Sequence, residues 1–222
     1  MRFLRVLIIT GVLAVAGTYV LCGLMIFALR RINPPTTTVQ IQRRIEAMRE
    51  GRPYQKRYDF IPLKRISPNL QHAAVAAEDG RFRQHHGFDW VEMQKVLEDD
   101  MQHHRFGRGG STITQQLVKN LFLTTERSLL RKAAEFALVP MVEGLLTKDR
   151  ILELYLNVIE WGPGVYGAEA ASEYYYHLHA SELNREQSAR LAAILPAPLK
   201  RKPARMNEYS DVILDRMAKT GW

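Results

Sequence analysis

From Val6 to Leu29 the chain carries no charged residue. That run is 24 residues long, and about 20 apolar residues are enough to cross a bilayer as a helix. A cleaved secretory signal has an apolar region of only about 7–15 residues, followed by a small-residue cleavage site. The stretch here is longer, which predicts a retained anchor. Arg2 and Arg5 precede it and Arg30 and Arg31 follow it, so the excess of positive charge that marks a cytoplasmic flank gives no clear vote on orientation. Asn33-Pro34-Pro35 ends the helix, because proline offers no N–H and disfavours helix in the residue before it. The expected division is a tip and anchor over 1–31, a juxtamembrane segment over 32–57 and one domain over 58–222.

The 222 residues leave room for one domain of moderate size beside the anchor. The net charge is +8. A basic balance suits nucleic acid, anionic lipid headgroups or a phosphorylated substrate, and does not choose among them. The one cysteine, Cys22, lies inside the apolar run. The globular part therefore has no thiol, which excludes an internal disulfide framework and a cysteine metal site and fits an oxidising compartment.

Past the anchor the pattern is helical. Ile41, Ile45 and Met48 mark a short amphipathic helix with Arg43 and Arg44 on its polar side, either lying on lipid headgroups or packed as an ordinary domain helix. Tyr58 to Ile66, broken by Pro62, reads as extended. Ser67-Pro68 starts a helix whose apolar face is Leu70, Ala73, Ala74 and Ala77. It ends on Glu78-Asp79-Gly80. Acids at a helix C-terminus oppose the macrodipole, so something other than that helix's stability must explain them. Asp89 and Glu92 open a further helix through Met101, with Met93, Val96, Leu97 and Met101 as its apolar side. Ser128, Thr147 and Asn184 introduce later helices, Trp161-Gly-Pro-Gly is a turn, and Ser210 to Lys219 is a short terminal helix. Strand signals are nearly absent, so the domain is expected to be mainly α.

The stretch Arg108 to Leu123, RGGSTITQQLVKNLFL, combines two faces. Ser111 and Thr112 can cap a helix. Ile113, Leu117 and Leu121 recur at i, i+4, i+8 as an apolar stripe. Thr112, Gln115, Gln116 and Lys119 fall on the other side, where a hydroxyl, two amides and an ammonium suit sugars and phosphates. A plain amphipathic helix with an amide-rich face is the competing reading. Arg127, Arg131 and Glu135 are spaced to line one helix face, with Lys132 adjacent; a salt-bridged surface stripe has the same pattern.

GGSTITQQLVKN resembles the second signature motif of the peptidoglycan glycosyltransferases (glycosyltransferase family 51). EDGRFRQHHGFDW, from Glu78, resembles the first. RKAAEFALVPMVEGLLTKDRILELYLN, from Arg131, resembles the third, GVYGAEAASEYYY the fourth and LAAILPAP the fifth. All five stand in order over roughly Pro34 to Pro198. Gly80 and Pro140 depart from the family pattern, and a kink is expected near Pro140. The resemblance implies a lysozyme-like α-helical glycosyltransferase domain behind one N-terminal transmembrane helix. It implies polymerisation of lipid II into glycan strands, with inversion at the donor's anomeric carbon and release of undecaprenyl pyrophosphate. By the same resemblance, Glu78 is the catalytic base; it must be ionised to accept a proton, and neighbouring cations favour that form. Lys119 and Arg127 hold the donor pyrophosphate and Arg131 and Lys132 add to that field. Glu135 is a second catalytic carboxylate that positions the cations, holds a sugar or helps bind a divalent metal. Ser111, Thr112, Gln115 and Gln116 position substrate. No cofactor is required; Mg or Mn at the pyrophosphate is the one metal left open. The implied partners are lipid II, the growing strand, membrane lipid and other cell-wall synthesis and division proteins, with no nucleic acid. The implied location is the bacterial inner (cytoplasmic) membrane, single-pass, with a periplasmic catalytic domain.

Two other classes compete. A membrane-anchored peptidoglycan-cleaving glycosidase also uses two carboxylates, but has no need of Lys119, Arg127, Arg131 and Lys132 around them. A tethered adaptor for anionic partners explains the charge and leaves the carboxylates and the amide face unexplained. The histidines lack the i, i+4 zinc pattern with an intervening glutamate. Lys219-Thr220-Gly221 looks like a penicillin-binding triplet, but the chain has no Ser-x-x-Lys, so no transpeptidase activity is expected.

Overall fold

A computed structural model describes residues 2–103, 110–126 and 128–222. Among them are ten α-helices and three short strands. Helix α1, Arg2–Ala28, carries the apolar run. Most of its side chains from Phe3 to Phe27 are exposed; Cys22 is half-buried and Ile26 is buried. A helix that hydrophobic cannot rest in water, and its length fits a bilayer span. Helix α2, Thr38–Arg49, is capped by Thr37. β1 is Arg57–Tyr58, α3 is Pro68–Glu78, α4 is Trp90–His103, α5 is Ile113–Phe122, α6 is Leu129–Leu145 and α7 is Lys148–Val158. β2 (Glu160–Gly162) and β3 (Val165–Tyr166) precede α8 (Ala168–Tyr176), α9 (Arg185–Ala192) and α10 (Asn207–Lys219).

The main core forms where α5 packs against α6 and α7. Ile113, Leu117 and Val118 meet Val139, Val142, Ile151, Leu154 and Val158, all buried. A second cluster joins α3 to α9 and α10 through Ala73, Ala76, Ala189, Ala192 and Ala193. Alanines there bring the helix axes close, which fixes the end of α3 where Glu78 sits.

The anchor is docked onto the domain. α1 and α6 run in the same direction, from Tyr19, whose hydroxyl donates to the Ala137 carbonyl at 3.3 Å, to Gly23, where an added Cβ would lie 3.1 Å from Met141 Sδ. Pro140 sits inside α6, and the helix continues past it to Leu145.

Three expectations change. The turn at Trp161-Gly-Pro-Gly joins two real strands: β3 is central, antiparallel to β2 and parallel to β1. Gly164 makes that turn at φ +74°, where an added Cβ would fall 2.4 Å from the Gln55 carbonyl oxygen. Helix α2 packs on α5 through Val39, Gln40 and Ala47, while Ile41, Ile45 and Met48 face outward. It is a domain helix that also shows an apolar stripe to its surroundings. On helix α4 the expected apolar side is covered only in part: Met93 and Val96 are half-buried, and Leu97 is 61% exposed. Periodicity shows that a helix has an apolar face and says nothing of what covers it.

Candidate active site

The site begins at the junction of α3 with the turn after it. Asp79 follows the last helical residue and is buried. Its Oδ2 accepts the Ile113 N–H at 3.0 Å and its Oδ1 lies 2.8 Å from His85 Nε2. The acid that opposes the dipole of α3 is thus placed at the N-terminus of α5, where negative charge is favoured. This resolves half of the acidic pair: Asp79 holds α5 against α3. Glu78, half-buried, has one side-chain hydrogen bond among the described residues, from Gln116 Nε2 to its Oε2 at 2.6 Å. The far end of the same amide accepts from the fully buried Tyr155 hydroxyl at 3.2 Å. Tyr155, Gln116 and Glu78 form a chain that aims one carboxylate.

The polar side of α5 does several jobs. Thr112 caps the helix and Gln115 completes a capping box with it. Thr112 Oγ1 also donates to the Gly87 carbonyl at 2.6 Å. Both residues are buried, and their polar atoms are committed to protein partners. Thr114 donates to Glu143 at 2.5 Å. Gln116 and Lys119, one turn apart, are half-buried, as is Ser111. Among the described residues the Lys119 ammonium has no hydrogen bond and no ion pair.

Glu135 on α6 is buried and accepts from three donors. Gln115 Nε2 stands at 3.1 Å, Arg131 at 2.8 Å and Lys132 Nζ at 2.5 Å. The stripe read from spacing as either a site or a surface ion-pair ladder is anchored on a buried acid. Gln115 ties it to α5. Arg127 lies outside the described residues.

Burial pushes the Glu78 carboxyl above its ordinary range, and Asp79 adds to that. The Gln116 hydrogen bond, Lys119 and Arg201 act the other way and do not reverse it. The neighbouring cations favour the ionised form, as expected, and burial outweighs them. Burial likewise lowers Lys119, helped by Arg131 and Lys132 and opposed by Glu135 and Glu78. Arg201 was not singled out from the sequence. It follows LAAILPAP in the basic run Lys200, Arg201, Lys202, and its place beside the acid is set by a hydrogen bond to the Ala193 carbonyl at 2.9 Å.

Glu135 faces two cations, Arg131 and Lys132. Asp79, His85 and Asp89 bring ligand atoms within 4.8 Å of one another. Yet both Asp79 oxygens are engaged, and Asp89 Oδ1 accepts the Glu92 N–H at 2.9 Å with Arg81 at 3.6 Å. The cluster reads as a hydrogen-bonded support for the α3–α5 junction.

The arrangement is one carboxylate that burial makes harder to ionise, an ammonium one turn along α5 from the amide that aims it and unpaired among the described residues, and a cationic pair on α6. The transglycosylase family model matches residues 43–218. A biosynthetic peptidoglycan transglycosylase of Neisseria meningitidis is 44% identical over 196 residues, covering 86% of this chain and 84% of its own length. Proteins of the same name from Laribacter hongkongensis and an Azoarcus species are 45% and 46% identical over 195 and 192 residues. They cover 86% and 85% of this chain, and 86% and 83% of their own lengths. With a mainly helical, lysozyme-like domain and a family match running from α2 into α10, the chain belongs to the transglycosylase family.

Proposed function

We propose that the protein is a peptidoglycan glycosyltransferase that polymerises lipid II into glycan strands, with inversion at the donor's anomeric carbon. The observation that carries this reading is the Gln116 amide, which aims Glu78 from the same helix face that presents unpaired Lys119 one turn on. Glu78 takes the proton of the acceptor's 4-hydroxyl. The resulting oxygen attacks the anomeric carbon from the face opposite the pyrophosphate. The bond to the pyrophosphate breaks, and undecaprenyl pyrophosphate leaves against Lys119, Arg131 and Lys132, with Arg127 joining them by the family resemblance. Glu135 positions those cations. Ser111 meets the sugar, Thr112 and Gln115 shape the wall behind it, and Gln116 orients the base. No step here is routed through a metal.

A glycan-cleaving hydrolase fits this site less well. Its leaving group is a neutral sugar hydroxyl, and a cluster of cations stabilises a departing anion instead. The acceptor and donor are both membrane-borne, which suits a domain docked on its own anchor, with the catalytic side facing the periplasm of the inner membrane. Crosslinking falls to other cell-wall proteins.

The test is polymer formation from labelled lipid II beside binding of a nonreactive lipid II analogue. Glu78→Gln keeps the side chain's size and still accepts from Gln116. Loss of a general base lowers rate by roughly 10²–10⁴, with analogue binding little changed. Polymerisation at the wild-type rate by folded Glu78→Gln removes Glu78 as the base, and cleavage of preformed glycan by the wild type turns the assignment to the hydrolase. Digestion of the domain by protease added to spheroplasts is expected, and full protection reverses the orientation.

A further inference from the structure

Where the anchor meets the domain there is a cavity of about 630 Å³. Phe27, Ala28, Ile32, Leu145 and Leu146 give it apolar walls, and Arg30, Arg31, Thr147 and Arg150 line its polar part. A cavity of this size falls within the range of small-ligand sites. No acidic side chain lines it. Arg150 is already held: it pairs with Glu153 and donates to the Leu29 carbonyl at 2.7 Å and the Ile32 carbonyl at 3.0 Å. Those bonds fix the root of the anchor against α7. Arg30 and Arg31 are exposed, and among the described residues neither pairs with a carboxylate. Arg30 lies over the Phe27 ring, 5.3 Å from its centre.

We propose that this cavity binds one anionic phospholipid of the surrounding bilayer, headgroup phosphate on Arg30 and Arg31, upper acyl chain along Phe27, Leu145 and Leu146. Its place selects the occupant. The cavity opens at the end of the membrane-spanning run, the level at which lipid phosphates stand, and its wall changes from apolar to cationic in the order of a lipid's own chain and headgroup. Thr147 caps α7 there by accepting the Arg150 N–H at 3.2 Å, so the positive end of that helix also faces the site. Glu78, Lys119 and Glu135 are absent from its lining, which sets it apart from the proposed catalytic groups. The proposal rests on α1 lying in a bilayer.

The test uses the full chain in nanodiscs of equal parts phosphatidylglycerol and phosphatidylcholine, released into native mass spectrometry. One cation near an anionic lipid surface is worth about fivefold in binding, so two give a preference of roughly 25-fold for phosphatidylglycerol in the retained lipid. Arg30→Gln/Arg31→Gln is expected to lose it. Arg44→Gln/Arg49→Gln removes the same charge from exposed positions on α2, outside the cavity, and is expected to keep it. Loss in both variants, or retention in both, overturns the site in favour of diffuse attraction or none. Undecaprenyl pyrophosphate displacing the retained lipid one for one overturns the occupant and makes the cavity part of the substrate path. Failure of the wild type to enter nanodiscs at all refutes the anchor reading, separately from the lipid selectivity.

Discussion

Replacing Gln116 by leucine keeps most of the side-chain volume and removes both ends of the chain that aims Glu78. Two groups lose their partner. The Tyr155 hydroxyl, whose ring is fully buried, is left without an acceptor, and a buried unsatisfied polar group costs about 1–3 kcal/mol. Glu78 loses the donor at 2.6 Å that works against the effect of burial. A hydrogen bond to a charged group is worth about 1.5–3 kcal/mol; the carboxylate loses its charge as it takes the proton, so the rate falls through the lost aim of the base, by at most roughly 10- to 150-fold where all of that energy holds the reactive geometry. The acid limb of the pH–rate profile also moves further up, because the ionised form has lost its stabilising contact. Tyr155→Phe/Gln116→Leu separates the two effects: with both polar partners gone the stability returns toward wild type, and the rate does not. Thermal unfolding reads the first and lipid II polymerisation across pH reads the second. A Gln116→Leu enzyme with the wild-type pH profile and rate would refute the claim that this amide aims the base, and so would full recovery of rate in the double variant.

Further outcomes follow from the same geometry. Turnover needs Glu78 ionised and Lys119 protonated; burial raises the first and lowers the second. The pH–rate profile should be a narrowed bell, rising above the ordinary glutamate range and falling below the ordinary lysine range, and a plateau spanning both ordinary values is the contrary result. Because Glu78 holds its proton more tightly folded than unfolded, its contribution to stability is full at low pH and is lost as pH rises through the folded pKa. The melting temperature of Glu78→Gln relative to wild type should therefore climb with pH. Lys119→Ala is expected to lower polymerisation by roughly 10²–10³, with Lys119→Arg restoring part, since a planar fork replaces a compact ammonium. Breaking a buried ion pair costs roughly 3–5 kcal/mol; Glu135→Ala should fall at or below the low end in urea unfolding, because Lys132 is partly exposed. Gly87→Ala meets both a positive φ of +91° and a Cβ position 2.4 Å from Val139 Cγ1. A drop in melting temperature is expected there, and a wild-type value contradicts the packing of this turn on α6.

Much of the helical order was legible because caps are local. Thr112, Ser128, Thr147 and Asn184 each accept a backbone N–H from the third residue on, and Ser67 precedes α3, which opens on Pro68. The inward face of α5 and most of that of α3 also followed from period, since those helices lie in the core. Period failed at α4 and α2, where the covering surface is a matter of tertiary packing, and the three-stranded sheet escaped notice because strands of two or three residues have no pattern of their own. The candidate site was legible as residue types. Which groups serve as scaffold was legible only in part: Thr112 could be read as a cap, but Gln115 was indistinguishable in sequence from Gln116 and Lys119, and burial and partners separate it from that half-buried face.

The acidic pair makes the point in chemical terms. Glu78 and Asp79 are adjacent, and both oppose the dipole of α3. Asp79 is used by a different helix, where its charge is welcome, so its cost to α3 is offset within the fold. Glu78 has no such compensation. It is turned toward Gln116 and held in a setting that works against its own charge. A residue that no structural need explains, aimed by a buried tyrosine through an amide, is where the chemistry is expected to be. The free ammonium of Lys119 on the same helix says what charge that chemistry must manage: an acid made more basic on one side, and a cation left unpaired for a departing anion on the other.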